Sequence, residues 1–330
     1  GGIMGDRAGN FAVQNADLVF ACGNRLSIRQ VGYNWKTWAR EAYVIVNDVD
    51  EAELKKPTLH VDLPVWGDAK ELLAKMVSRL EAEQAAGNTP LFKESSWVER
   101  CQEWKAKYPV VQKKHYEDTK HTNVYAFIKE LSSRLSEGQV TVVGNGSACV
   151  VGSHAYVIKK GQRFIINSAI ASMGYDLPAA IGAVVAEHGN LALNREALKH
   201  DDIKDVILVT GDGSIQMNIQ EMATAVQNKL PVKIVILNNT YLGMVRQWQE
   251  LFYKHNYSST SMTGQPDFVK LAEAYGAEGY RIMTEEELAP TLKKALASPN
   301  TAIIDVVVEP EEDVYPMVPA GASLDEMLLV

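Results

Sequence analysis

The order of apolar and polar positions predicts a strand, helix and strand in the second half of the chain. An apolar run at Val206–Val209 is followed by the turn Gly211–Ser214, by helical spacing over Ile215–Gln227 and by a second apolar run at Val232–Leu237. Short apolar runs bounded by turn residues are typical of buried strands. The segment therefore predicts a βαβ unit with two parallel strands.

The same alternation extends over the rest of the chain and predicts an α/β protein. We predict helices at 6–15, 68–80, 96–108, 123–135, 267–275 and 285–297, and strands at 16–22, 43–47, 139–143, 278–282 and 302–308. Helix 68–80 is expected to bury one face formed by Leu72, Leu73, Met76 and Leu80. The predicted organisation is a partial Rossmann-like domain at 1–85, a linker with a helix at 86–120, a domain at 121–310 with a parallel sheet and helices on both faces, and a tail at 311–330.

Oxygen-bearing side chains follow both strands of the βαβ unit. Asp212 comes after the first strand and Asn239 after the second, and the carboxyl ends of parallel strands form the edge where open α/β sheets bind ligands. Carboxylate and carboxamide oxygens suit Mg²⁺, which is usually held together with phosphate oxygens and water. Gly211 and Gly213 allow a ligand to approach the backbone, and the amides of Gly213 and Ser214 are expected to open a helix that suits a phosphate. The sequence thus predicts a magnesium and diphosphate site, although Gly-Asp-Gly alone is also typical of an ordinary tight turn.

Composition and charge narrow the class of function. The 330 residues carry a formal net charge of −8, which argues against a nucleic-acid partner and against an anionic membrane surface. No apolar run approaches membrane-spanning length, and the first residues lack a signal-peptide layout. Three scattered cysteines and the absence of an H-x-x-x-H pair favour neither a disulfide framework nor a zinc site, so the predicted location is a reducing cytoplasm.

Several stretches resemble one family. The Gly-Asp-Gly turn with the downstream Asn-Asn pair is similar to the diphosphate and Mg²⁺ motif of thiamine-diphosphate enzymes. The stretches GMVRQWQ at 243–249, PDFVKLAEAYG at 266–276 and YPMVPAGASLDEM at 315–327 resemble the large catalytic subunit of acetohydroxyacid synthase, also called acetolactate synthase. The resemblance implies the thiamine-diphosphate-binding fold for 121–310, with thiamine diphosphate and Mg²⁺ as cofactors.

The resemblance also implies which residues form the cofactor site. Tyr241 would add its backbone carbonyl as a third metal ligand, and Met173, which by itself reads as a core methionine, would lie under the bent cofactor. Asn145 and Gly146 stand where the family has a Gly-Gln-His turn that contacts the phosphates. The implied cofactor residues are Asn145, Gly146, Met173, Gly211, Asp212, Gly213, Ser214, Asn239, Tyr241, Gly243 and Met244, of which Asp212, Asn239 and Tyr241 would bind the metal.

Two further residues are implied to contact the acceptor 2-keto acid. Arg29 matches the second arginine of a family pattern, and a guanidinium is the natural partner of a carboxylate; the alternative is an ordinary surface arginine. Trp248 matches a family tryptophan near the acceptor, and the alternative is a helix residue packed on its neighbours. Residues 26–28 (Leu-Ser-Ile) replace the Phe-Asp-Asp of the pattern, which leaves the prediction of FAD as a cofactor open.

By resemblance, the reaction is the decarboxylating condensation of 2-keto acids in branched-chain amino acid biosynthesis. The family's activating glutamate lies in an N-terminal pyrimidine-binding domain, so we expect no catalytic residue of that kind here and expect a fragment that is inactive alone. The expected assembly is a homodimer or tetramer, with a possible regulatory subunit. The changes at 26–28 and 145–146 keep a second hypothesis open, another thiamine-diphosphate lyase, decarboxylase or synthase; a third is a non-catalytic cofactor-binding module.

Overall fold

The computed structural model describes residues 1–88, 96–117, 120–188 and 205–329, and they form two compact units. The first unit comprises Gly1–Pro109 with Tyr315–Val330, and the second comprises Val110–Val314. The predicted linker 86–120 is thus divided between the units, and most of the predicted tail belongs to the first. Within the described residues, no helix is both long and apolar enough to cross a membrane.

The first unit is built on a three-stranded parallel sheet in the order β1-β2-β3. Its strands are β1 (Leu18–Cys22), β2 (Tyr43–Asp48) and β3 (Leu63–Trp66), and its helices are α1 (Arg7–Asn15), α2 (Ile28–Val31), α3 (Glu51–Leu54), α4 (Ala69–Ala85) and α5 (Ser96–Lys107). Asp68 caps α4 by accepting a hydrogen bond from Lys70 N at 2.8 Å. Val318 and Leu324 of the tail lie in the core of this unit.

Helix α4 forms where predicted but does not bury the predicted face. Leu73, Met76 and Leu80 are 45%, 40% and 56% exposed, and no residue of the helix is buried. The apolar spacing therefore predicted the helix correctly and its packing wrongly, because a stripe of this kind specifies a helical period without specifying what covers it.

The second unit contains a six-stranded parallel sheet in the order β5-β4-β6-β7-β9-β8. Its strands are β4 (Val140–Val143), β5 (Arg163–Ile166), β6 (Val206–Gly211), β7 (Val232–Asn238), β8 (Glu278–Ile282) and β9 (Ala302–Val307). Its helices are α6 (Val124–Arg134), α7 (Gly146–Ala155), α8 (Asp176–His188), α9 (Asp212–Ile215), α10 (Met222–Gln227), α11 (Gly243–Phe252), α12 (Phe268–Tyr275) and α13 (Glu285–Ala297). Strand β7 is buried at every position, as expected for a parallel strand covered by helices on both faces.

The predicted βαβ unit is present, but its connection differs from the prediction. Strands β6 and β7 are parallel neighbours with Gly211 opposite Leu237. The single helix predicted at Ile215–Gln227 is instead the short α9, a 3-10 segment at Gln216–Glu221 and α10, with non-helical backbone at Asn218. Asn218 Nδ2 donates to Gly174 O at 2.7 Å, which ties this side chain to another loop. The predicted helix is therefore divided into short helical segments, of which the first, α9, has only four residues.

Candidate functional site

A pocket opens at the carboxyl ends of the central strands of the second unit. The space that it encloses, counted with the solvent at its mouth, is about 710 Å³. All eleven residues predicted to form a cofactor site line it: Asn145, Gly146, Met173, Gly211, Asp212, Gly213, Ser214, Asn239, Tyr241, Gly243 and Met244. Positions distributed over 100 residues of sequence therefore meet in one cavity.

Asp212 is the most buried charged residue of this pocket, with 2% of its surface exposed. Its Oδ1 accepts a hydrogen bond from Gly213 N at 2.8 Å, and its Oδ2 accepts one from Thr240 N at 2.8 Å. Burial raises the pKa of Asp212 to about 6, against the opposing effect of these hydrogen bonds. A cation bound beside this carboxylate would stabilise its ionised form.

Asn239 lies on the loop that follows β7, beside Asp212. Its Oδ1 accepts a hydrogen bond from Tyr241 N at 3.2 Å. The loop is held by an antiparallel bridge between Tyr241 and Ser261 and by the bond from Leu242 N to Thr260 O at 2.8 Å. The oxygen groups offered to a ligand here are therefore presented by a fixed backbone.

The oxygen atoms of Asp212 and Asn239 suit a Mg²⁺ ion that is bound together with a diphosphate better than a metal ion that is bound by protein side chains alone. Among the described residues, no three or more His, Cys, Asp or Glu side chains are grouped to hold a metal ion. One carboxylate and one carboxamide leave most positions to phosphate oxygens and water, which is the usual arrangement for Mg²⁺.

The glycines around this pocket have different functions. A Cβ on Gly213 would lie 2.8 Å from Leu242 Cδ2 and 3.0 Å from Met262 Sδ, whereas a Cβ on Gly211 would meet nothing within 4 Å. Gly213 is therefore closely packed by protein side chains, and Gly211 has open space beside it. Both glycines line the pocket, and their contact with a ligand stays a prediction.

The wall formed by α7 suits an anion. Asn145 precedes the helix without a side-chain capping hydrogen bond, and Gly146 has φ +64°. Ser147 and Ala148 also line the pocket, and amides in a first helical turn lack partners within the helix.

Met173 is 37% exposed, so its interpretation as a core methionine is wrong.

Sequence reasoning missed the acidic wall that follows β9. Glu309 and Glu312 line the pocket, and burial raises the pKa of Glu312. Glu309 Oε2 lies 3.2 Å from His121 Nδ1. These residues could have been predicted, because β9 is parallel to β7 and the residues that follow the two strands lie at the same edge of the sheet.

The two predicted substrate contacts lie outside this pocket's lining. Trp248 is 45% exposed on α11, with its ring centroid 4.5 Å from that of Phe252. Arg29 belongs to the first unit and is half-buried in α2.

Two domains of a known enzyme family match this chain. Residues 1–76 match the central domain of thiamine pyrophosphate enzymes, and residues 144–306 match their C-terminal TPP-binding domain. The chain belongs to the thiamine pyrophosphate enzymes. The family resemblance inferred from the Gly-Asp-Gly and Asn-Asn motif is thereby confirmed, with thiamine pyrophosphate being the same compound as thiamine diphosphate.

Relatives of this thiamine pyrophosphate enzyme chain include large subunits of acetolactate synthase. It is 37% identical to the isozyme 3 large subunit of Escherichia coli over 332 residues, which is 99% of this chain and 54% of that protein. It is 34% identical to the large subunit of Cyanidium caldarium over 99% of this chain and 52% of that protein. For the mitochondrial catalytic subunit of Saccharomyces cerevisiae the identity is 35% over 99% of this chain and 46% of that protein. The chain thus spans about half the length of these relatives.

Proposed function

We propose that the second unit binds thiamine diphosphate through Mg²⁺ held by Asp212, Asn239 and the backbone carbonyl of Tyr241. The convergence of all eleven predicted residues on one pocket is the observation that carries this proposal. The Asp212 carboxylate is buried there, and no lysine or arginine of the described chain forms an ion pair with it. A divalent cation would supply the missing positive charge.

Different residues of the pocket are suited to bind different parts of the cofactor. The free amides at the start of α7, around Gly146 and Ser147, would hold diphosphate oxygens. Met173 and Met244 offer flexible apolar contacts to the middle of the cofactor. Thiamine diphosphate, when bound, supplies the electron sink through which a 2-keto acid loses CO₂.

For the whole protein we propose the activity of acetolactate synthase, the decarboxylating condensation of two 2-keto acids in branched-chain amino acid biosynthesis. Identities of 34–37% over 99% of the chain support this assignment. We further propose assembly as a homodimer or tetramer, with a possible regulatory subunit.

Arg29 and Trp248 are the proposed contacts of the acceptor keto acid. The neighbouring Arg25 pairs with Glu53 at 3.1 Å, whereas Arg29 forms no ion pair among the described residues. A guanidinium without a carboxylate partner is suited to receive the carboxylate of a substrate.

Calorimetry with thiamine diphosphate, in the presence and absence of Mg²⁺, tests the cofactor site. We expect binding that requires Mg²⁺, is lost in Asp212→Ala and is retained in Glu273→Ala, which removes an exposed carboxylate from α12. Equal binding by the two variants would rule out the proposed metal site.

The proposed reaction is tested separately with pyruvate and the protein that carries this chain. Formation of acetolactate is expected. Release of acetaldehyde in its place would favour the alternative of a thiamine-diphosphate decarboxylase.

A further inference from the structure

Both backbone polar groups of Gly174 are bound by side chains of the segment that follows β6. Its N–H donates to Ser214 Oγ at 3.0 Å, and its carbonyl oxygen accepts from Asn218 Nδ2 at 2.7 Å. Gly174 directly follows Met173, the methionine proposed to support the middle of the cofactor. The two side chains therefore hold the backbone beside a residue of the proposed cofactor site.

The close approach at this point requires a glycine. Gly174 has φ +80°, a conformation that residues with a side chain rarely adopt. A Cβ at this position would lie 2.6 Å from Met217 Cβ and 2.8 Å from Asn218 Nδ2. Residues 217–218 thus pack directly against residues 172–175, here called the Met173 loop.

The backbone of Asn218 departs from a helix where its side chain makes this contact. It has φ −137° and ψ 34° within the 3-10 segment Gln216–Glu221, whereas helical residues have φ of about −60°. Because a carbonyl oxygen only accepts, Asn218 must present its amide nitrogen to Gly174. Its own oxygen accepts from Gln220 Nε2 at 3.3 Å. The orientation of the Asn218 amide is therefore defined by two partners.

The Met173 side chain packs against the turn that carries Asp212. A Cβ on Gly213 would lie 3.4 Å from Met173 Cε, so the end of this side chain lies over the neighbour of Asp212. Asp176 fixes the other end of the Met173 loop: its Oδ2 accepts from Thr210 Oγ1, and both residues are fully buried. Contacts on both sides of Met173 thus connect its loop to β6 and to the turn after β6.

We propose that Asn218 is a positioning residue for Met173: its amide nitrogen fixes the Gly174 carbonyl and so holds the Met173 side chain where it supports the middle of the cofactor. This inference rests on the proposed binding of thiamine diphosphate. A methionine side chain is flexible, and this one is 37% exposed, so its position depends on the backbone that carries it. Holding that backbone in place before the ligand arrives lowers the cost of ordering the site on binding.

Two ligands separate the contact of Met173 from the contacts of the diphosphate. Thiamine diphosphate carries both parts, whereas inorganic pyrophosphate carries only the part proposed to bind Mg²⁺ and the start of α7. Calorimetry on the protein that carries this chain, in the presence of Mg²⁺, measures both affinities. Thermal unfolding without ligand measures any loss of stability.

The test compares Asn218→Leu, which keeps the size of the side chain without its donor, with Asn228→Leu. Asn228 is half-buried like Asn218, and its Nδ2 also donates to a backbone carbonyl, Thr224 O at 2.8 Å. It lies in the loop that enters β7, at the edge of the sheet opposite the pocket. The control is therefore expected to bind both ligands like the wild type.

We expect Asn218→Leu to weaken thiamine diphosphate binding by about threefold to tenfold, to change pyrophosphate affinity by less than about twofold, and to unfold within a few degrees of Asn228→Leu. Wild-type affinity for thiamine diphosphate in Asn218→Leu overturns this inference. An equal loss of affinity for the two ligands also overturns it, because the effect would then not depend on Met173.

A double variant tests whether Asn218 acts through Met173. When Asn218→Leu is combined with Met173→Ala, the loss of thiamine diphosphate affinity is expected to equal that of Met173→Ala alone, because the side chain that Asn218 positions is already removed. Losses that add up in the double variant would contradict the proposed role.

Asn218→Ala covers the case in which Asn218→Leu does not fold, since it removes the donor without placing an apolar group against the Gly174 carbonyl. The same pattern of affinities is expected, and wild-type affinity for thiamine diphosphate in Asn218→Ala overturns this inference alone. Absence of Mg²⁺-dependent binding of thiamine diphosphate by the wild type overturns the proposed cofactor site and this inference with it.

Discussion

Thr240 donates its backbone N–H to Asp212 Oδ2 at 2.8 Å, and this bond connects the ends of two neighbouring strands. Asp212 follows β6, while Thr240 lies between the two residues proposed to bind the metal from the β7 side, Asn239 and Tyr241. The carboxylate and the loop therefore hold each other in place before any ligand arrives. Prior positioning of this kind lowers the cost of ordering a site on binding.

The two glycines beside Asp212 are predicted to respond differently to a methyl group. Gly213→Ala is expected to lower the free energy of unfolding by about 1–3 kcal/mol, because its Cβ would overpack against Leu242 and Met262. Gly211→Ala is expected to unfold like the wild type, because Gly211 has φ −94° and its Cβ would meet open space. Chemical denaturation of both variants measures the difference.

Gly211→Ala is nevertheless expected to weaken thiamine diphosphate binding, since the added methyl group lies at a residue that lines the pocket. Calorimetry on the folded variant measures this effect. Wild-type affinity in Gly211→Ala would mean that the ligand does not use the space beside this glycine.

Met173→Ala is predicted to affect ligand binding more than stability. The side chain is 37% exposed in the pocket, so the folded protein loses little buried surface while the cofactor loses an apolar support. Loss of about 1.4 kcal/mol of contact corresponds to about tenfold weaker binding. The control is Met76→Ala, a methionine that is 40% exposed on α4 of the first unit; equal affinities for the two variants would contradict the prediction.

Arg246 is expected to stabilise the wall of the site formed by α11. Its guanidinium is 7% exposed and lies 3.0 Å from Glu250 and 3.4 Å from Asp313. Arg246→Met removes the cation and leaves two partly buried carboxylates unpaired, so we expect the free energy of unfolding to fall by about 3 kcal/mol. Glu311→Gln changes a partner that is 69% exposed and is expected to cost less than about 0.5 kcal/mol. Urea denaturation of both variants tests the contrast.

His115 is predicted to make the second unit less stable in acid. Burial lowers the pKa of His115 from 6.5 to about 4, and its ring is stacked 4.9 Å from that of Tyr125. Above pH 6.5 neither the folded nor the unfolded state binds the proton. As the pH falls from 6.5 toward 4, only the unfolded state binds it, so the free energy of unfolding decreases over this interval.

His115→Phe keeps an aromatic ring at this position and is expected to flatten that part of the pH dependence. Lys114→Gln is expected to retain most of it, because the charge of Lys114 is the smaller of the two causes of the lowered pKa. Denaturation series at pH 7.5, 5.5 and 4.5 provide the measurement. An unchanged slope in His115→Phe would show that other groups account for the acid sensitivity.

Most elements of the fold follow from local sequence signals. Strand β8 and helix α13 occupy the predicted residues, and β6 and β7 extend the predicted runs by one or two residues. Local signals failed where a distant contact decides the conformation. The bond from Asn218 to Gly174 accompanies the break in the predicted helix after β6, and strand β5, which pairs at the edge of the sheet with β4, was not predicted.

The sequence by itself determined that Asp212 and Asn239 share one edge of a parallel sheet, because adjacent strands of a βαβ unit end on the same side. The family resemblance likewise depended only on motif residues and their spacing. Only the tertiary structure decided that Glu312 lines this pocket, that Gly213 is closely packed against Leu242 and Met262, and that Gln265 hydrogen-bonds to Asn238. These relationships depend on contacts between residues far apart in the chain, and the period of apolar positions contains no information about such contacts.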